Sequence, residues 1–349
     1  MKVLILYNKI WHYRVPIFNI ISKNVDLTVA SSEAKGNEIY NFKTLFLDKW
    51  SIGRFVVHKI NLFTLCKNYD RVIVYGNISW LSYVFLAFNK KRNYKLAFWS
   101  PGVSASYTKN FDSNKKWNSI RDFFYRRADG LIFYSTYPIK QYIERGFDKK
   151  KLFVAENTVE VNLDLESTYF PKRKNILFIG TLYKAKGIFF LLESYKKAFK
   201  KNPNIPNLEI IGDGPYLNEL KNQIKLNNLE KQIKSHGSIY DEGEKENIFK
   251  RALAVISPNQ AGLGVLESFA HGVCFITYKN SFTGGERLNI SNNYNGLLLS
   301  ENQELSCIIL NIYKNENKYL KMGQNAKKYY QENRTSEIMA NGLLDFITN

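Results

Sequence analysis

Cysteine is scarce in this chain. Cys66, Cys274 and Cys307 are spread over 349 residues, and no CxxC pair or Cys/His cluster occurs. A disulfide framework or zinc site is therefore not expected, and a reducing compartment is the natural setting. Long apolar runs are also missing. The most apolar stretch, Val72–Phe88, is interrupted by Gly76, Asn77 and Ser79. It barely reaches bilayer length and reads as a strand followed by a buried helix. The opening MKVLILYNKI has a short apolar run that fits a first buried strand better than a cleavable leader. No low-complexity segment is present. No GxGxxG follows the first strand, where NKIWHY stands instead, which argues against a Rossmann dehydrogenase.

What is present is enough for two α/β domains, each with its own core: 45% hydrophobic and 15% aromatic residues. The formal net charge is +19 and is unevenly spread. Residues 1–160 hold 26 Lys/Arg against 12 Asp/Glu, and residues 161–349 hold 24 against 19. The surplus on the first half favours anionic partners such as lipid head groups or phosphorylated acceptors, with a solvated basic surface as the bland alternative. Nucleic acid is not expected, because no RNP, helix-turn-helix or zinc-finger pattern accompanies the charge.

The apolar pattern alternates strands with helices. Strands are expected at Lys2–Tyr7, Val25–Ala30, Arg71–Tyr75, Lys95–Trp99, Gly130–Tyr134 and Lys151–Ala155, and helices at Pro16–Ser22, Trp117–Arg127 and Ile139–Arg145. Asp164–Lys174 is polar, contains Pro171 and reads as a linker. A second set follows. Its strands are Asn175–Ile179, Leu208–Ile211, Ile233–His236, Ala254–Ser257, Cys274–Thr277 and Gly296–Leu299. Its helices are Gly187–Lys200, Tyr216–Asn227, Glu244–Lys250 and Leu263–Ala270. Two helices close the chain near Glu301–Asn315 and Lys318–Asn349, the second broken around Arg334. This is the pattern of two doubly wound parallel sheets, with ligands expected in a cleft at the carboxyl ends of the strands.

Four segments of the second set carry residues suited to chemistry. In ILFIGTLYKAKG (Ile176–Gly187), Gly180 permits a tight turn, and Lys184 and Lys186 place positive charge just before a helix. GDGP (Gly212–Pro215) follows a strand and brings backbone close to whatever fills the site. In SPNQAGLGVLESFAHG (Ser257–Gly272), a loop with Gly262 and Gly264 opens a helix, whose first N–H groups can hold phosphate or sugar oxygens. Glu267 sits one turn in, where a carboxylate can accept from a diol such as a ribose. In FTGGERLNISNNYNG (Phe282–Gly296), Gly284 and Gly285 read as a flexible loop and Asn295–Gly296 as a turn. Each segment alone also fits an ordinary turn or solvated charge. Among the histidines, His58 reads as surface, His236 as a strand end, and His271 as a helix C-terminus with favourable dipole placement.

The order of these four segments resembles the retaining GT-B glycosyltransferases of family 4, also called glycosyl transferases group 1. YRVPIF after the first strand, RRADGLIFYS and VAENTVEV add to the resemblance. It implies two Rossmann-like domains facing a cleft: residues 1–165 for the acceptor, residues 172–330 for the nucleotide sugar, and a C-terminal helix, 331–349, returning to the first domain. By resemblance, Lys186 binds the diphosphate and Glu267, the second glutamate of an E-x7-E motif, binds the ribose; these two are the catalytic candidates. Gly180, Thr181, Lys184, Gly212, Gly214, Asn259, Gly262, Leu263 and Gly264 are the remaining donor-site candidates.

The sequence departs from the family pattern at three places. Asn259 stands where the first glutamate of E-x7-E is usual, Thr181 where an arginine is frequent, and Pro101 where some relatives have a histidine. A degenerate, non-catalytic sugar-nucleotide binder is the alternative these departures suggest. The implied activity is transfer of a hexose-type sugar to a saccharide hydroxyl, the acceptor lipid-linked, in bacterial surface polysaccharide synthesis. No cofactor is expected beyond the nucleotide-sugar co-substrate. No DxD motif occurs, so metal-independent transfer is expected. His12 and Arg14, in the loop after the first strand, are the acceptor-site candidates. Basic clusters at Lys90–Arg92, Lys115–Lys116 and Lys149–Lys151 suggest a cytoplasmic protein held peripherally on the anionic inner membrane face.

Overall fold

The computed structural model describes residues 1–33, 40–105, 111–161 and 172–349. Most of the expected linker, residues 164–171, lies outside them. The chain divides into two units. Residues 1–104, 112–160 and 334–349 form the first, and residues 105–111 and 161–333 the second.

The N-terminal unit is built on a parallel sheet of β1 (Lys2–Tyr7), β2 (Asp26–Ser31), β3 (Lys43–Phe46), β6 (Arg71–Tyr75), β7 (Lys95–Ser100), β8 (Gly130–Phe133) and β9 (Leu152–Val154), in the order β3-β2-β1-β6-β7-β8-β9. Strands β4 (Lys49–Ile52) and β5 (Phe55–His58) form a separate antiparallel hairpin. The helices of this unit are α1 (Val15–Ser22), α2 (Leu62–Cys66), α3 (Leu81–Phe85), α4 (Asn118–Tyr125) and α5 (Ile139–Glu144). Five of six residues in β1, in β2 and in β7 are buried. Both faces of a parallel sheet are covered, so its strands are apolar throughout instead of alternating.

The second unit repeats the plan. Strands β10 (Asn175–Ile179), β11 (Leu208–Ile211), β12 (Ile233–Gly237), β13 (Ala252–Ile256), β15 (Cys274–Tyr278) and β17 (Gly296–Leu299) lie in the order β12-β11-β10-β13-β15-β17. Two short strands, β14 (Gln260–Ala261) and β16 (Phe282–Thr283), pair with each other in parallel. The helices are α6 (Ile188–Lys201), α7 (Leu217–Leu226), α8 (Glu242–Arg251), α9 (Gly264–Ala270), α10 (Leu305–Lys314) and α11 (Glu316–Asn333). Helix α10 begins four residues later than its apolar pattern suggests. The sheet reverses its winding between β10 and β13, the point at which loops diverge above the carboxyl ends and leave room for a ligand.

The chain returns to the first unit at Arg334, whose guanidinium lies 3.1 Å from the Glu156 carboxylate. Thr335 then caps the last helix, α12 (Ser336–Thr348), its hydroxyl accepting from the Ile338 N–H at 3.3 Å. Helix α12 buries Met339, Ala340, Leu343, Phe346 and Ile347 against α1, β8 and β9. The approach leaves no room for side chains at two glycines. A Cβ on Gly342 would stand 2.1 Å from the Val154 carbonyl oxygen, and one on Gly130 would stand 2.6 Å from the Phe346 ring.

Alanine at position 342 raises helix propensity by about 1 kcal/mol, but the overlap falls on backbone that cannot yield cheaply. Gly342→Ala is expected to destabilise the N-terminal unit by about 1–3 kcal/mol net and to lower its melting midpoint by about 2–10 °C. Differential scanning calorimetry checks this; an unchanged or higher midpoint contradicts the packing described.

Candidate functional site

The loops that follow β10, β11, β13 and β15 meet at the point where the C-terminal sheet reverses. The first contact is backbone on backbone. Gly180, Gly212 and Gly214 have φ of 140°, 149° and 150°. A Cβ on Gly212 would stand 2.1 Å from the Gly180 oxygen, and one on Gly214 would stand 2.6 Å from the Leu182 oxygen. The two segments are tied by bonds from Leu182 N to Asp213 O (2.8 Å) and from Tyr216 N to Leu182 O (3.2 Å). The glycines of GDGP thus let this turn lie directly on residues 180–182. Thr181 and Lys184 are exposed.

Lys186 ends a single helical turn before α6 and folds back over Gly180. A Cβ there would meet the ammonium at 2.8 Å, so the glycine provides the lysine's seat. Burial lowers the Lys186 pKa to about 8, with Glu286 acting in the opposite direction. The sequence offered no reason to single out Glu286. It is only 6% exposed and accepts from the Gly284 N–H at 2.9 Å. The Thr283 hydroxyl accepts from the N–H groups of Gly285 (3.0 Å) and Arg287 (3.1 Å). The Gly284–Gly285 segment, expected to be flexible, is therefore a tied loop, fastened by side chains on either side of it.

The loop from Ser257 to Gly264 is fixed as firmly. Ser257 Oγ donates to Gln260 O at 2.8 Å, and Phe282 N donates to Asn259 O at 2.8 Å. The β14–β16 pair joins this loop to the one after β15. Asn259 is exposed, and its amide lies over Gly187, where a Cβ would stand 2.8 Å from Asn259 Cγ. Buried Gln260 accepts from the Tyr183 hydroxyl at 2.5 Å. Gly262 and Leu263 complete the approach to α9, which begins at Gly264. Gly264 abuts Ile179 at the end of β10, with 3.7 Å from its Cβ position to Ile179 Cγ2. Glu267, one turn into α9, is paired. Lys245 Nζ of α8 stands 3.1 Å from its carboxylate and 2.9 Å from that of Glu242. Burial alone would lower the Lys245 pKa, but Glu267 and Glu242 outweigh it and raise the value.

Lys186, Asn259, Gly264 and Glu267 thus lie in loops or a helix start around one sheet end. Tyr183, Lys245, Gln260 and Glu286 join them and were missed, because their partners come from other loops and helices. Lys245 stands in DEGEKENIFKR, a polar helix whose sequence carries no sign of its target. Among the described residues, no three His, Cys, Asp or Glu side chains gather as a metal would require.

Three expectations for other residues are corrected. Arg14 is 2% exposed. Its guanidinium donates to Met339 Sδ at 2.9 Å and to Asn157 Oδ1 at 2.5 Å, and lies over the rings of Tyr13, Trp99 and Tyr134. It holds the loop after β1 to α12 from inside the core and is not presented to an acceptor. His12 is exposed, edge-on to Tyr13 at 5.3 Å. His58 is buried instead of superficial, stacked on Tyr83 at 4.6 Å, and burial, helped by Lys49, pushes its pKa down to about 4. His271 does sit at the end of α9, but burial and then Lys245 and Arg173 lower its pKa to about 3. It stays neutral against Phe249 and brings no charge to the helix dipole.

The two parallel sheets and their repeated winding define the GT-B fold. A crystal structure of Anabaena Alr3699/HepE in complex with UDP shares it, with a TM-score of 0.73 over 100% of both chains at 17% identity. So does a mutant of S. aureus TarM in complex with Fondaparinux, alpha-GlcNAc-glycerol and UDP, with a TM-score of 0.69 over 100% of both chains at 13% identity. Residues 164–329, within the C-terminal unit, match the family model of glycosyl transferases group 1. An uncharacterized glycosyltransferase of Methanocaldococcus jannaschii, MJ1059, is 34% identical over 140 residues, which are 37% of this chain and 32% of that protein. The matched part thus spans less than two thirds of that relative. In the described residues, no helix is long and apolar enough to cross a membrane.

A cation with a lowered pKa makes anion binding at Lys186 depend on pH. An anionic ligand raises the lysine's pKa, so its affinity must fall as pH rises through the free-state value of about 8. For an anion held by this ammonium the expected loss is about tenfold between pH 7 and pH 9. Lys186→Arg, charged throughout that range, should flatten the dependence. Isothermal titration at several pH values tests this; equal slopes for the two proteins refute it.

Proposed function

We propose that this chain transfers a hexose-type sugar from a nucleoside diphosphate to a saccharide hydroxyl, with retention at the anomeric carbon. The observation that carries the reading is the seating of Lys186 over Gly180, beside the start of α9 and at the sheet's reversal. A diphosphate needs a cation and hydrogen-bond donors at one place. Lys186 supplies the cation, and the backbone of the Gly262–Gly264 turn is the candidate donor, since the N–H groups of Val265 and Leu266 already donate to Gly262 O and Leu263 O. Glu267 then accepts from the ribose hydroxyls, with Lys245 holding its carboxylate. Asn259 takes the place of the family's usual glutamate near the sugar and offers hydrogen bonds without charge. UDP-sugars are the first donors to try, because the HepE and TarM structures are described as complexes with UDP.

In the step we propose, the acceptor oxygen forms a bond to the anomeric carbon on the face from which the diphosphate departs. The carbon–oxygen bond to the diphosphate breaks, and the leaving phosphate takes the acceptor proton. No protein base is then required. The protein holds both substrates and stabilises the charge that develops on phosphate, with Lys186, and Lys184 at the loop's edge, as its cations and no metal ion. The acceptor is bound by the N-terminal unit, with His12 its candidate contact. We take it to be lipid-linked, a precursor of surface polysaccharide, reached from the cytoplasmic membrane face to which the basic half is drawn.

A thermal-shift screen with UDP, GDP, dTDP and CMP sugars tests the donor. One base should stabilise the protein by about 2.7 kcal/mol at a hundred times its Kd, and Glu267→Gln should weaken that ligand about tenfold. Turnover of the labelled sugar should survive chelation and preserve the anomeric configuration, as read by NMR. Stabilisation without turnover on saccharide acceptors would instead favour the non-catalytic binder suggested by Asn259.

A further inference from the structure

The β4–β5 hairpin has an unusual outward face. In an antiparallel pair, directly opposed residues share a face. Lys49, Ser51, Val56 and His58 lie on one side, and Trp50, Ile52, Phe55 and Val57 on the other. The first set faces the unit. Val56 and His58 are buried, Val56 N donates to Ser79 O at 2.9 Å, and His58 N donates to Ser82 Oγ at 2.8 Å. The second set faces water. Trp50 is 58% exposed, Ile52 79%, Phe55 41% and Val57 39%. The solvent side of such a pair is ordinarily polar; here all four positions are apolar. At the turn between the strands, Gly53 has nothing within 4 Å of its Cβ position, so the turn is open on that side.

Cations rim this face. Arg54 lies 5.0 Å from the Phe55 ring and 4.3 Å from that of Trp117. Lys59 lies 5.8 Å from the Trp50 ring and pairs with Asp48 at 2.5 Å. Trp117 caps α4, whose exposed Ile120 and Phe123 carry further apolar surface, with Arg127 3.9 Å over Phe123. The guanidinium and ammonium groups themselves lie near these rings, and cations beside tryptophan and exposed apolar side chains suit the boundary between hydrocarbon and anionic head groups.

We infer that the β4–β5 hairpin is a membrane anchor, its Trp50–Ile52–Phe55–Val57 face entering the acyl boundary of an anionic lipid surface. Two other occupants fit less well. A second copy would set a unit with 26 Lys/Arg against 12 Asp/Glu over residues 1–160 against its own charge, whereas anionic head groups complement it. A sugar would need several hydrogen-bonding side chains beside the rings, and the four outward positions provide only the Trp50 indole N–H. The inference goes beyond attraction by basic charge, because it names the inserted element and requires its apolar side chains.

Flotation of the full chain with vesicles tests it. The vesicles are phosphatidylcholine with or without about a third phosphatidylglycerol, at ~0.1 M salt. They contain neither donor nor acceptor, so the result does not depend on sugar transfer. The wild type should float with the anionic vesicles. A Trp50→Ser, Ile52→Ser, Phe55→Ser variant should lose about tenfold or more in partitioning, with its melting midpoint unchanged. Ile52→Asp alone, at the most exposed position, should also weaken partitioning without unfolding. The inference is overturned if both variants float like the wild type or if the wild type ignores the anionic vesicles. It is overturned equally if, without lipid, the variants turn a wild-type dimer into a monomer, since the face would then belong to a second copy.

Discussion

The C-terminal unit depends on a contact with no space for a β-carbon. The turn Gly212–Pro215 lies on the backbone of residues 180–182, with 2.1 Å between the Gly212 Cβ position and the Gly180 oxygen. The contact sets where the chain leaves β10, which sets where Lys186 returns. Gly180 is used twice, receiving the turn through its carbonyl and the lysine over its α-carbon. A side chain at either glycine would separate the two loops and unseat the ammonium. The electrostatics follow from this geometry. Lys186 is charged at neutral pH but poorly solvated, so an anion that reaches it gains more than it would from a lysine in water.

The parts of this site that were legible in the sequence are those whose signal is local. A glycine after an apolar strand, a lysine before a helix and a glutamate one turn into a helix each state their own position, and the structure finds all of them above the same sheet edge. The pairing of Glu267 with Lys245, the bond from Tyr183 to Gln260 and the support of the 283–287 loop by Glu286 depend on elements remote in sequence. Periodicity and turn chemistry cannot report them. Histidine was misread for the same reason. His58 occupies a strand whose alternation places it inward, and only the hairpin pairing reveals that.

The N-terminal unit shows where a parallel-sheet reading falls short. Continuous apolar strands were visible because they are buried on both faces, but residues 49–58 follow another pattern. KWSI and FVVH alternate about a tight Gly53–Arg54 turn, a hairpin signal that a search for βαβ units passes over. Arg14 was read from its place in a loop after the first strand, yet three aromatic rings and α12 enclose it. The last helix comes from the far end of the chain, so no local pattern could disclose its role.

On the proposed function, a nucleoside diphosphate binds at the reversal of the C-terminal sheet with its phosphates on Lys186. A crystal structure of the protein with UDP tests it most directly. The diphosphate should lie within hydrogen-bond distance of Lys186 Nζ and the backbone of the Gly262–Gly264 turn, with the ribose hydroxyls on Glu267. A well-ordered nucleotide bound elsewhere, or one at this edge with Lys186 turned away, would rule out Lys186 as the diphosphate's cation.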